Sequence, residues 1–323
     1  MIVRWGLAAL PEACAEADVS MPLLVASPRW NSLELPVAPA ARWQDVPSDL
    51  LDEAVAAAQG TDGILALGGG SAIDLGKAIS AATGLPLVSI PTTYSGAEWT
   101  SYFGVRDTER RMRGGGGGAH PTAIVYEPEL TVDLPPETTV GTAMNALAHC
   151  AEALYAQGHN PTADEDALAG AALIAEWLPR VVDARTDLHA RTELLLGASH
   201  GGAALAGSML ALAHAMAQAV GGAYGLPHGT LNGIVLAPVL RFNAAIVPDA
   251  VRRFGEAIGS PDDPAARVEE LTALAGPTRL SELGVPERDL PALAASAAGR
   301  GGNLANPKPA SPEEIEQLLR LVL

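Results

Sequence analysis

Cysteine, lysine, aromatic residues and long apolar runs are all scarce in this chain. Among 323 residues there are two cysteines, Cys14 and Cys150. Two thiols so far apart make no disulfide framework, and a reduced cytoplasmic setting is expected. Lys and Arg number 20 against 37 Asp and Glu, a net charge of −17. That balance argues against nucleic acid or an acidic membrane surface as partner, since both need a basic face. No apolar run reaches the roughly 18–20 residues of a membrane span. The opening residues, MIVRWGLAALPEACAEA, lack the sustained apolar core of a signal peptide. Aromatics are 4% of the chain while hydrophobic residues are 48%. Ala and Gly fill the gap, so the core is expected to be built from closely packed small side chains. What remains is an acidic globular protein, most often an enzyme acting on a small molecule. At about 150 residues per domain it has two domains or one large one.

The chain changes style part-way. Short apolar runs alternate with helical patterns over the first 130 residues. Met21–Ala26, Gly63–Leu67, Leu85–Ile90 and Ala123–Tyr126 are predicted as strands. Asp49–Gln59, with Ser48 as N-cap, and Ile73–Ala82 are predicted as helices. The alternation points to a parallel sheet with helices on both faces. Pro135-Pro136 marks a break. Beyond it come long Ala/Leu-rich helical stretches: Thr138–Ala156, Thr162–Arg185, Ala190–Val220, Gly229–Asn243, Pro248–Ile258 and Pro264–Leu283. A last helix follows Ser311, where Ser-Pro-Glu-Glu supplies a cap, a proline at N1 and first-turn acids. The expected fold class is α/β plus all-α, with a nucleotide-binding α/β domain at 1–134 and a helical catalytic domain at 135–323. The glycine run Gly114–Gly118 is expected to be a mobile loop.

The segment GILALGGGSAIDLGKAIS runs from a strand through Gly68-Gly69-Gly70-Ser71 straight into a helix. Glycine permits the sharp turn and close backbone approach to a ligand. The free N–H groups and dipole at the helix start suit a pyrophosphate. A second loop, Pro91-Thr92-Thr93-Tyr94-Ser95-Gly96-Ala97-Glu98, follows the next strand. In a parallel sheet both loops lie at the carboxyl edge, where ligands bind. Gly69, Gly70, Ser71, Asp74, Thr92, Thr93 and Ser95 are therefore the candidate cofactor-binding residues. Lys77 either supports this loop, faces the phosphates or packs on the helix surface. The strand Met21–Ala26 is followed by no acid that would hold an adenosine ribose, and Arg29 could meet a 2′-phosphate. NADPH is thus admitted beside NADH.

Seven histidines are present. His149, His214 and His228 lie in apolar helical surroundings in the second half. Asn145 and His149 share one helix face at i and i+4. Gln218 follows His214 by one turn. Zn²⁺ or Fe²⁺ accepts three imidazoles readily, but Asn145 offers only a neutral carbonyl where a carboxylate would add charge. His200, in GASHGG, is a further candidate for the site wall. His120, His159 and His189 stand in polar context.

The motifs GGGSAIDLGKA, PTTYSGAEWT and HAMAQAVGGAYGLPHG, in that order, resemble those of the iron-containing (group III) alcohol dehydrogenase family. The resemblance runs from about residue 20 to the end. It implies a Rossmann-like N-terminal domain, a helical C-terminal domain of dehydroquinate synthase-like architecture, a cleft between them, and a homodimer. Metal-dependent members use an Asp and three His. The matching positions here are Asn145, His149, His214 and His228, and Gln218 replaces a further His. Asn at the first position followed by A-x-A-H and EALYA resembles the maleylacetate reductase branch. That branch implies NADH- or NADPH-dependent reduction of an activated C=C bond, from maleylacetate to 3-oxoadipate, without a metal. Asn145, His149, His214 and His228 are then catalytic, with His214 and His228 as proton donors. Were the chain metal-dependent, the three histidines would be the ligands of an alcohol or aldehyde dehydrogenase. A relative recruited to non-redox chemistry is the third reading. The chain departs from the branch at Glu109-Arg110-Arg111-Met112-Arg113 and the five glycines that follow, and at Asp74.

Overall fold

Runs of Leu, Val and Ile with no polar face to offer form strands buried on both sides, as a parallel sheet requires. The computed structural model describes residues 1–109 and 111–323. They divide into two compact units, Met1–Thr131 and Val132–Leu323.

The first unit holds β1 (Ile2–Trp5), β2 (Pro22–Val25), β3 (Ala41–Trp43), β4 (Gly63–Gly68), β5 (Leu87–Pro91), β6 (Phe103–Arg106), β7 (Met112–Gly116) and β8 (Ala123–Tyr126). Six of these form one sheet in the order β1-β8-β5-β4-β2-β3, every pair parallel. Successive side chains fall on opposite faces. Leu24, Leu65, Val88 and Val125 pack against α1 (Leu10–Glu16). Leu23, Ile64 and Leu87 pack against α2 (Leu51–Ala57) and α3 (Gly70–Thr83). Helices thus cover both faces, and the four strands read from the sequence are present. Two expectations fail. The N-cap of α2 is Leu50, not Ser48; the Ser48 hydroxyl accepts the Leu50 N–H at 3.1 Å one step before the helix starts. The glycine run is no free loop either. β7 pairs antiparallel with β6. A Cβ on Gly116 would stand 2.7 Å from the Phe103 ring, and one on Gly115 would stand 2.9 Å from the Phe103 carbonyl oxygen. Phe103 leaves little room for side chains at Gly115 and Gly116. Arg110, in the basic stretch before it, lies outside the described residues.

The second unit holds α4 (Pro136–Ala153), α5 (Pro161–Asp183), α6 (Leu188–Ala206), α7 (Leu212–Tyr224), α8 (His228–Ala244), α9 (Pro248–Ala257), α10 (Pro264–Thr272), α11 (Leu290–Ala298), α12 (Gly301–Ala305) and α13 (Pro312–Leu321). Among the described residues it contains no strand. Small residues let its helices touch at backbone distance. A Cβ on Gly170 of α5 would stand 2.9 Å from Cys150 Sγ of α4 and 2.9 Å from the Gly197 carbonyl of α6. This is what the Ala- and Gly-rich composition supplies. The stretch Ala190–Val220 is two helices rather than one, broken at 207–211. The stretch Pro264–Leu283 stops as an α-helix at Thr272 and resumes only as a 3₁₀ turn at Ser281–Leu283. Ser311 caps α13 in a reciprocal box with Glu314, as read from the sequence.

Helix α3 sits close on β4 because Gly76 has no side chain. A Cβ there would stand 2.8 Å from Ala66 Cβ and 3.1 Å from Leu87 Cδ1. Replacing Gly76 with Val is expected to cost about 1–3 kcal/mol through overpacking, measured as a lowered urea midpoint.

Candidate functional site

Close packing without side chains brings the two nucleotide-loop candidates together. At the end of β4, Gly68 has a φ of 150°, and a Cβ on it would stand 2.8 Å from Ala72 Cβ. Its carbonyl accepts the Thr92 N–H at 3.0 Å, which ties the end of β4 to the loop after β5. A Cβ on Gly69 would stand 2.9 Å from Thr93 Cγ2, and one on Gly70 would stand 3.5 Å from Ser95 Oγ. The Thr93 and Ser95 hydroxyls are 3.4 Å apart. No side chain caps the N-terminus of α3. The first turn therefore keeps its backbone N–H groups and its positive dipole end for an anion. Gly69, Gly70, Ser71, Thr93 and Ser95 sit together at this edge, and they fit the pyrophosphate of a dinucleotide. Thr92 is buried behind them.

Asp74 and Lys77 do a different job. Lys77 is fully buried, one turn along α3 from Asp74, and forms an ion pair with it at 2.9 Å. The ammonium also donates to the Ala97 carbonyl at 2.8 Å, to Thr100 Oγ1 at 3.3 Å and to the Tyr102 carbonyl. Asp74 accepts the Gly104 N–H at 3.1 Å. The pair therefore staples residues 97–104 to α3 and supports the loop rather than facing a phosphate. Beside it, Glu98 accepts from Tyr126 Oη at 2.7 Å, and Trp99 Nε1 donates to the same hydroxyl at 2.8 Å. Burial pushes the Glu98 carboxyl above the usual carboxylate range.

In the second unit the four candidate catalytic residues do converge. The His149 and His214 rings stack at 4.8 Å between centroids, and His214 and His228 stand 5.4 Å apart. The side chain that organises them is Glu152, one turn after His149 on α4 and fully buried. Its oxygens accept the backbone N–H groups of Ala211, Ala213 and His214 at 2.7, 2.7 and 3.3 Å. These amides open α7, so a carboxyl on α4 caps the helix that carries His214. The same carboxyl takes His214 Nδ1 at 2.6 Å. Nδ1 is then the donor, and His214 Nε2 is left buried without a partner. An amide chain runs beside this pair. Asn232 Nδ2 donates to Asn145 Oδ1 at 2.6 Å and to His228 Nε2 at 3.1 Å. Asn145 Nδ2 lies 3.4 Å from His149 Nε2. Both Nε2 atoms face N–H donors, so both act as acceptors. Burial, with the neighbouring His214 and His228, holds the His149 imidazole well below its usual 6.5. His200 lies elsewhere, paired with Asp166 at 2.8 Å.

Residues 8–128 match the family described as iron-containing alcohol dehydrogenase. Residues 139–323 match its C-terminal domain. The chain belongs to the iron-containing alcohol dehydrogenase family. It is thereby an NAD(P)-dependent oxidoreductase. It is 37% identical to a maleylacetate reductase of Burkholderia cepacia over 85% of this chain and 78% of that protein. It is 33% identical to maleylacetate reductase 1 of Cupriavidus pinatubonensis over 96% of this chain and 91% of that one. The crystal structure of a maleylacetate reductase from a Rhizobium species superposes with a TM-score of 0.90 at 29% identity, covering 100% of this chain and 95% of that one.

The family name raises the question of iron. A divalent ion needs one lone pair from each imidazole aimed at a common point, with a carboxylate helping to balance its charge. Here His149 and His228 point Nε2 at amide N–H groups, and position 145 is itself an amide. Among the described residues no group of three or more His, Cys, Asp or Glu could hold a metal ion. The donor set as arranged does not fit one. Glu152 and Asn232 are absent from the sequence-derived site. Asn232 follows His228 by four residues, the spacing that links Asn145 to His149, so that signal was available. Glu152 serves an amide group 59 residues onward, and no local pattern announces it.

Removing the Glu152 carboxyl leaves three amides and an imidazole without their acceptor in a buried site. Glu152→Ala is expected to cost about 3–5 kcal/mol, read from chemical denaturation. His149 predicts a pH dependence. The unfolded chain binds its proton near 6.5 while the folded chain does not, so its contribution is complete above that pH and declines on acidification. The slope is at most about 1.4 kcal/mol per pH unit. His149→Gln should flatten stability measured between pH 7 and pH 5.

Proposed function

We propose that the chain is a maleylacetate reductase that works without a metal ion. The first unit holds NADH or NADPH, and the second reduces the activated C=C bond of maleylacetate to give 3-oxoadipate. The observation that carries the reading is the amide pair Asn145–Asn232, which faces the Nε2 atoms of His149 and His228 with N–H donors where a metal centre needs those lone pairs free. The identity to maleylacetate reductases along most of the chain supports the same substrate. Exposed Arg29, lying over Trp30 just after β2, is a cation in reach of a 2′-phosphate, which supports tolerance of NADPH. The family resemblance supports a homodimer, and two widely separated free cysteines support a reduced cytoplasmic setting. No helix among the described residues is long and apolar enough to cross a membrane.

Gly69, Gly70, Ser71, Thr93 and Ser95 would hold the dinucleotide, which would supply a hydride for the alkene carbon farther from the ketone. The alkene electron pair moves toward the ketone oxygen, and an enolate forms. Hydrogen-bond donors aimed at that oxygen lower the barrier. The remaining proton goes to the carbon next to the ketone. His214 gives it from Nε2, while Nδ1–H stays on Glu152 and fixes the ring. His149 cannot supply it, because burial keeps that imidazole neutral. The acceptor role of His228 Nε2 toward Asn232 assigns it to orientation, so of the two histidines expected as proton donors His214 takes the part.

Chelator-stripped protein should oxidise NADH or NADPH with maleylacetate at full rate, and added Zn²⁺ or Fe²⁺ should not raise it. His214→Ala should lower kcat by about 10²-fold or more. Turnover that appears only on adding metal would make the three histidines ligands and overturn the reading, as would a near wild-type rate in the His214 variant.

A further inference from the structure

The reductase reading leaves one requirement unmet, since maleylacetate carries a carboxylate at each end and such groups need cationic partners in the site. In an acidic chain such a cation must be kept free of the surrounding Asp and Glu. Most cations of the second unit are engaged: Arg253 with Asp164, Arg241 with Glu269, Lys308 with Glu314, and Arg191 with the Arg185 and Val132 carbonyls. Among the described residues of that unit, the guanidinium groups of Arg279 and Arg300 have neither a hydrogen-bond nor an ion-pair partner, and Arg279 is exposed. Arg300 is half-buried, and its Nε is buried and unpartnered. Desolvation, with no acidic neighbour to oppose it, lowers its pKa.

The position of Arg300 is set by α7. It is the N-cap residue of α12. That short helix is pinned to α7, because a Cβ on Gly302 would stand 2.5 Å from the Ala211 carbonyl. Arg300 Nη2 lies over Gly222, 3.8 Å from where a Cβ would be. His214, Gln218 and Gly222 follow one another at i, i+4 and i+8, a slowly turning row along one helix. His214 Nε2 has no partner. Gln218 between them is half-buried, and none of the described residues hydrogen-bonds its side-chain amide. Three unpartnered polar groups thus lie in sequence along α7, ending in a cation. His214 and Gly222 are two turns, about 12 Å, apart. In this six-carbon diacid the carbon that takes the proton and the oxygens of the farther carboxylate span about 5 Å. One hydrogen bond of about 3 Å at each end brings this to the same length.

Resting on the reductase reading, we infer that Arg300, assisted by the Gln218 amide, binds a terminal carboxylate of the substrate and so selects dicarboxylates whose reducible centre lies at His214. Arg300 is a specificity residue and takes no part in the proton transfer.

The test uses the full-length enzyme and its Arg300→Gln and Arg300→Lys variants, with two readouts. Calorimetric titration with 3-oxoadipate reads binding without turnover. Steady-state kinetics reads KM for maleylacetate and for the dinucleotide separately. Losing a charge-assisted hydrogen-bonded pair should weaken diacid binding and raise the maleylacetate KM about 10- to 100-fold in Arg300→Gln. Arg300→Lys should recover part of the loss, and the dinucleotide KM and thermal midpoint should hold. A diacid affinity within about two-fold of wild type would overturn the inference. So would a change confined to the dinucleotide KM, which would make Arg300 a partner of nucleotide phosphate. Wild-type turnover of maleylacetate with an unaffected Arg300→Gln variant defeats only the Arg300 inference. Arg300-dependent diacid binding without maleylacetate turnover defeats only the reductase reading. A wild type that neither binds the diacid nor turns over defeats both.

Discussion

A buried carboxyl must find donors for both oxygens or it destabilises the fold that buries it. Glu152 meets that demand by capping a helix from another helix. Its oxygens take three amides at the start of α7 and the Nδ1 of His214. The helix dipole at that end favours the same negative group. One residue therefore sets where α7 begins, how α7 docks on α4, and which ring nitrogen of His214 is available. The rest of the site inherits those settings. His149 stacks on a ring whose plane is fixed, and the row from His214 to Gly222 starts from a defined turn. Stability and chemistry rest on one contact, so they cannot be varied independently at this position.

The first unit solves its ligand problem by omission. Gly68, Gly69 and Gly70 bring two loops into contact because nothing projects between them. An uncapped helix start is left with its donors pointing outward. The polar staple of Lys77 and Asp74 then holds residues 97–104 against α3. A fully buried lysine is costly unless every proton finds an acceptor. Here a carboxylate, two carbonyls and a hydroxyl surround it. That explains a lysine in a chain that otherwise uses arginine almost throughout. A guanidinium is too broad to sit among acceptors from a helix and a loop packed this closely.

Local rules made most of this fold legible. The four strands predicted between Met21 and Tyr126 are apolar runs with turn residues at their ends, whereas β3, β6 and β7 carry no such run and went unread. The Ser311 cap was readable because donor and acceptor lie three residues apart. The errors share one cause. The stretch Ala190–Val220 reads as one helix since every residue in it is helix-compatible, and the break at 207–211 comes from a cap 59 residues upstream. The glycine run at 114–118 reads as free chain because Phe103, which crowds Gly115 and Gly116, lies outside the run. The candidate site followed the same division. Asn145 and His149 were found by helical spacing, whereas Glu152 acts through partners that only the tertiary structure supplies.

The amide at position 145 gains its meaning from Asn232. Asn145 Oδ1 receives Asn232 Nδ2, so its own Nδ2 can only face His149. A carboxylate at 145 would accept from Asn232 equally well but would have no proton to offer His149. It would also add a second negative charge to a buried cluster that already holds Glu152. Two such charges need a cation between them or a proton on one. An amide needs neither. It has the shape of the acid, donates to one histidine through its nitrogen and accepts from Asn232 through its oxygen. The charge balance of the cluster is then left to Glu152 and His214 alone. In this arrangement the amide holds His149 and Asn232 in place without adding a charge.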